Sequence, residues 1–148
     1  MASDRSVFIA PELAQKLKCA KLPILRKTLL AVCRFALDRT KLEHPIIENA
    51  LRSLRNGKPL DSSSRRGLKM LALSLDDKYC DLNAGSQEDP AVYRTAALAA
   101  FRQARAVNAV YFAAQDNLIE SASNCLYEAA AAAEDNETLE ELVIGRIG

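Results

Sequence analysis

The chain of 148 residues has no tryptophan, four tyrosines, four phenylalanines and a single histidine. With only His44 available, zinc sites built on several imidazoles and Ser/His or Cys/His nucleophile pairs become improbable. Five glycines and five prolines are too few for a collagen-like or linker-rich chain. No apolar run approaches the roughly 20 residues that span a bilayer. Near the start, Val7-Phe8-Ile9-Ala10 is shorter than the roughly 7–15 residues of a signal-peptide core. The expectation is therefore a cytoplasmic protein without membrane contact. Cys19, Cys33, Cys80 and Cys125 form no C-x-x-C pair. Each lies in a helical pattern beside apolar residues, which predicts reduced, buried thiols rather than zinc ligands. Phosphate loops of the Walker or G-x-G-x-x-G type and a nucleophile elbow are also missing. No catalytic residue, cofactor or metal ligand is assigned.

What the chain does have is alanine, 25 residues of it, within an apolar content of 49%. Balanced charge at that apolar content excludes wholesale disorder. The length suits one domain over residues 1–148, large enough to bury a core without a disulfide or metal staple. No segment alternates with period two, whereas helical starts and stops are clear.

Pro11 suits a first helical position. It opens a short helix through Leu13, Leu17 and Ala20 that must stop before Pro23. A second helix runs from Pro23 to about Thr40, with Leu25, Leu29, Val32, Cys33 and Ala36 on one face. A third begins at His44-Pro45, buries Ile46, Ile47, Ala50, Leu51 and Leu54, and ends at Asn56-Gly57. Asp61-Ser62-Ser63-Ser64 reads as a polar linker ending in capping residues, with a phosphorylation site as the weaker alternative. A fourth helix then covers about Ser64 to Asp81, with Leu68, Leu71, Ala72, Leu75 and Tyr79 at helical spacing. Asn83 to Ser86 forms a loop, and Asp89-Pro90 opens the next helix.

Residues 91–134 contain no glycine or proline and hold most of the alanines. Unbroken, they would reach about 66 Å, too long for a chain whose radius of gyration should be near 15 Å. A break is expected near Gln115-Asp116-Asn117. The polar side shifts there from Arg94, Arg102, Arg105, Asn108 and Asp116 to Glu120, Asn124 and Glu128. A last helix, Glu137 to Ile144, follows a cap at Asp135 or Asn136 and ends at Gly145. The fold class is all-α: an antiparallel helical bundle or stacked hairpins of five to seven helices around an alanine-rich central helix. Residues 23–56 and 64–114 are the candidate hairpins. Part of the smooth alanine-rich face could also dock another protein or a second copy.

The formal net charge of +1 conceals a polarity. Residues 1–74 carry fifteen basic and six acidic side chains, and residues 75–148 carry five and thirteen. Charges of this kind commonly compensate across a fold. Two clusters nevertheless stand out. Arg52, Arg55, Lys58, Arg65, Arg66 and Lys69 flank one loop and form a candidate anion or nucleic-acid patch, though without aromatic residues for base stacking. Asp76, Asp77, Asp81, Glu88 and Asp89 form a candidate acidic surface for a partner. Asp77 and Asp81 share a helix face, but no EF-hand loop or Glu-x-x-His motif accompanies them, so a metal is not implied.

Three stretches resemble small all-helical immunity proteins of bacterial polymorphic toxin systems. They are Cys33-Arg34-Phe35-Ala36, Ala50-Leu51-Arg52-Ser53-Leu54-Arg55-Asn56-Gly57, and the alanine-rich run from Ala96 to Ala114 with its continuation to Ala133. Histidines, frequent in the alanine-rich helix of such proteins, are missing from it here. The resemblance implies a cytoplasmic protein that neutralises a cognate toxin by direct contact, without catalysis. The acidic residues would suit a nuclease toxin with a basic channel. Nucleic-acid binding through the basic patch is the alternative, and a helical enzyme the third reading.

Overall fold

The computed structural model describes residues 11–84 and 90–147. They form seven α-helices: α1 (Pro11–Lys18), α2 (Leu22–Thr40), α3 (Pro45–Asn56), α4 (Ser62–Ala84), α5 (Pro90–Ala113), α6 (Leu118–Ala133) and α7 (Asn136–Ile147). The described residues contain no strand, and the fold is an all-α bundle. None of these helices is long and apolar enough to cross a membrane.

Local chemistry explains most boundaries. His44 lies in extended backbone and its Nδ1 accepts from the Ile46 amide at 3.1 Å, capping α3. Gly57 ends α3 with φ +69°, a conformation that costs a side-chain-bearing residue energy. The fourth helix starts earlier than expected, at Ser62, because Asp61 rather than a serine is the cap: its Oδ1 accepts from the Ser64 amide at 2.7 Å. The three serines are therefore helical first-turn residues, not linker. The alanine-rich segment breaks where expected, between Ala113 and Leu118, with Asn117 capping α6 through the Glu120 amide at 3.2 Å. The last helix does not stop at Gly145. That residue sits in open space with no positive φ, and Ile147 beyond it packs on the core, which favours one further turn. The expected start at Asp89 and the adjoining loop fall mainly on residues 85–89, outside the described residues.

Cross-helix pairs define the topology. Lys69 meets Tyr111, Asp76 meets Arg105 and Tyr79 meets Phe101, so α4 and α5 are antiparallel. Arg102 reaches Ala132 and Asn108 reaches Glu128, so α5 and α6 are antiparallel too. Cys33 meets Cys125 and Arg39 meets Asp135, so α2 runs parallel to α6. The α4–α5–α6 meander thus has α2 laid across the groove between α5 and α6, with α7 packed on α2 and α1 on α6. The expected hairpin 64–114 is present. The expected hairpin 23–56 does not close, because α3 divides its packing among α2, α4 and α5. Gly67 lets α3 cross close to α4, since a Cβ there would meet the end of the Ile46 side chain.

The buried cluster draws on all seven helices. Leu25, Leu29, Val32, Cys33 and Ala36 are fully buried, as their spacing on α2 predicts. Alanine sets the character of the centre: Ala104, Ala106, Ala109, Ala122, Ala129 and Ala132 have no exposed surface. Small side chains let α5 be surrounded by α2, α4 and α6 at once, and dense packing follows from close approach. The aromatic bulk of Phe101, Tyr111 and Phe112 is only half-buried, at the margin. Enclosure is incomplete toward the start of α5, where Val92 and Leu98 are exposed.

Candidate partner-binding site

The outward face of α4 carries the site. At 100° per residue, Arg66, Met70, Leu73, Asp77 and Asp81 fall within about 80° of arc, and Lys69 flanks them. All six are exposed. Met70 is 59% and Leu73 49% exposed, so two large apolar side chains stand in solvent. They lie between a basic first half and an acidic second half of one helix, a span of about 22 Å from Arg66 to Asp81. Asp77, Asp81 and Arg66 have no ion-pair partner among the described residues.

The acidic cluster read from the sequence divides. Asp76 is turned inward, where its two carboxylate oxygens accept from Arg105 Nη2 at 3.1 and 3.0 Å. Arg105 Nη1 also lies 3.4 Å from Glu128, and Asn108 Nδ2 donates to the same carboxylate at 3.1 Å. The guanidinium stacks 5.2 Å from the centre of the Phe101 ring. Asp76 therefore belongs to a strut joining α4, α5 and α6. Asp77 and Asp81 keep their charge for solvent or a partner. Glu88 and Asp89 lie outside the described residues.

The basic cluster divides as well. Arg52 and Arg55 are exposed on α3, and Lys58 follows its cap. Arg65 turns to Asp116 at 3.3 Å. Lys69 places its ammonium 5.4 Å from the centre of the Tyr111 ring, so one aromatic does adjoin the patch, brought there by tertiary contact with α5.

The polar side of α5 is a set of interhelical contacts. Besides Arg105 and Asn108, Arg102 donates from Nε to the Ala132 carbonyl at 2.7 Å and from Nη2 to that of Ala133 at 3.3 Å. It thereby satisfies the carbonyl end of α6, where Glu134 takes a left-handed φ of 54°. Asp135 caps α7 through the Thr138 amide at 3.1 Å and also pairs with Arg39 at 2.9 Å. The Thr138 amide and hydroxyl, with Arg39, hold the Asp135 carboxyl below the ordinary carboxylate range. The Ser64 amide and hydroxyl, with smaller help from the Ser63 amide and Arg65, do the same for Asp61.

The four cysteines separate by environment. Cys33 and Cys125 are buried with their sulfurs 3.8 Å apart. The Cys33 thiol beside it, and then burial, push the Cys125 thiol well above the ordinary range. Cys19 and Cys80 are exposed, contrary to the expectation of four buried thiols, because Cys19 lies in the turn after α1 and Cys80 on the outer side of α4.

Comparison with protein-family models, with curated proteins and with solved structures finds no match to this chain. The functional reading therefore rests on the surface itself.

Proposed function

We propose that the chain is a non-enzymatic binding protein that docks a protein partner on the outward face of α4. The observation that carries this is the exposed Met70–Leu73 pair set between Arg66 and Lys69 on one side and Asp77 and Asp81 on the other. Met70 and Leu73 are about half exposed, so covering them would add roughly half of the 1.5–3 kcal/mol that full burial of such a side chain gives. An apolar centre with a charged rim is the anatomy of a protein interface. Oppositely charged ends orient a partner and speed its encounter. The partner proposed is a toxin neutralised by contact, as the resemblance to immunity proteins implies, with Asp77 and Asp81 meeting a basic substrate channel.

The test is a pull-down from the native cell, read by mass spectrometry, with wild type beside Met70→Asp/Leu73→Asp and Asp77→Lys/Asp81→Lys. A toxin retained by wild type and lost by both variants, with its toxicity relieved only by wild type, is the expected result. Equal capture by the Met70/Leu73 variant, at unchanged thermal stability, would overturn the assignment.

A second reading, nucleic-acid binding, is favoured by the four cations Arg52, Arg55, Lys58 and Arg66, which have no ion-pair partner among the described residues. Salt-sensitive retention on DNA, lost on neutralising these four, would select it over the first.

A further inference from the structure

The exposed side chains of α4 stand in a symmetric order. Arg66, Met70, Leu73 and Asp77 follow one another at steps of four, three and four residues. At 100° per residue they lie within about 60° of arc, on a line about 16 Å long. All four are exposed. Leu68 and Ala72, on the other side of the same helix, are buried, and α4 packs that side on α5 and, less extensively, on α3. Alternating steps of three and four are the spacing of the seam along which two helices interlock.

The order reads the same backwards once charge is reversed. Lay a second α4 antiparallel on the first, with a two-fold axis between residues 71 and 72. Arg66 then falls opposite Asp77 of the second copy, and Met70 opposite its Leu73. Symmetry repeats both pairs on the other side of the axis. Arg66 and Asp77 have no ion-pair partner among the described residues, so each is free to take this one. A parallel pair in register would instead set Arg66 on Arg66 and Asp77 on Asp77. Lys69 and Asp81 carry the same polarity at the flanks, which further favours the antiparallel sense. A foreign helix would need to present this order in reverse, whereas a second copy already carries it.

We propose that the outward face of α4 binds a second copy of this chain in a two-fold, antiparallel dimer, with Arg66–Asp77 pairs closing both ends of a Met70–Leu73 centre. One helix face per protomer is smaller than the roughly 1,200–2,000 Å² of a stable interface, so the dimer is weak and reversible. It covers the face proposed above for a partner, which would then displace the second copy. The dimer itself needs only this chain. A partner that never appears leaves it standing, and a monomeric chain leaves the docking proposal standing.

The experiment is analytical ultracentrifugation of the purified full chain, without any partner, from about 10 μM to about 1 mM. Wild type is expected to move from monomer towards dimer across that range. Arg66→Asp and Asp77→Arg each create two like-charge pairs in the dimer and should weaken it at least about tenfold. An equimolar mixture of the two variants restores opposite charges at both ends and should dimerise as wild type does. That recovery also shows that both variants are folded. A wild type that stays monomeric throughout, reversals that dimerise as well as wild type, or a mixture that fails to recover would overturn the proposal.

Discussion

Replacing Arg105 by methionine tests whether Asp76 is a strut or a free surface charge. The substitution removes two bonds to Asp76, at 3.1 and 3.0 Å, and the 3.4 Å pairing with Glu128. Deleting one partner of a buried ion pair costs about 3–5 kcal/mol. Two facts reduce that here. Asp76 keeps 36% and Glu128 24% side-chain exposure, so water reaches the stranded carboxylates. Arg105 Nε is itself buried without a hydrogen-bond partner, a cost that methionine removes. About 2–3 kcal/mol remains, a fall in Tm of about 4–12 °C for a chain of this size. Asp76→Asn should cost about 1–2 kcal/mol, and Asp77→Asn, exposed and unpaired, less than about 0.5 kcal/mol. Urea unfolding followed by circular dichroism measures all three. A double-mutant cycle between Asp76 and Arg105 should give a coupling of about 1 kcal/mol or more. A near-zero coupling, or equal costs for Asp76→Asn and Asp77→Asn, would refute the division of the acidic cluster into strut and surface.

The helix caps predict an acid response. Asp61 and Asp135 have folded-state values below that of an unfolded aspartate, so their stabilisation is complete above about pH 4 and is lost as pH falls through the lowered values. Thermal melts between neutral pH and pH 2 should show Asp61→Asn/Asp135→Asn losing less Tm than wild type on acidification; parallel curves would contradict the capping argument. Alkylation with iodoacetamide should label Cys19 and Cys80 in the folded protein and Cys33 and Cys125 only after unfolding, since the thiolate is the reacting form and both of the latter are buried. Labelling of Cys125 at a rate matching Cys80, read by peptide mass spectrometry, would show that α2 and α6 separate readily.

Helices were legible in the sequence because their signals are local. A proline at a first helical position, an Asn-Gly terminus and a stripe at i, i+3, i+4 and i+7 act through a few neighbouring residues, and the helices begin and end close to where those signals lie. The break near Asp116 was legible for a global reason, the length of an unbroken helix against the size of the chain. Asp61 shows the limit of the local signal. Four capping-type residues stand in a row from Asp61 to Ser64, and composition does not say which one turns its oxygen back to the helix.

The surface was less legible, because each charge has a fate decided by the helix opposite. Asp76 and Asp77 are adjacent and chemically identical, yet the first faces Arg105 across the α4–α5 contact and the second faces solvent. The difference is 100° of helical rotation, and it acquires meaning only once α5 is placed. The same holds for Arg65 and Arg66. Hydrophobic periodicity could have found the more telling feature. Met70 and Leu73 lie off the buried stripe of Leu68 and Ala72, on the face that Asp77 and Asp81 continue. A search for apolar residues out of phase with their own helix's core face would have located the docking candidate before any tertiary contact was known.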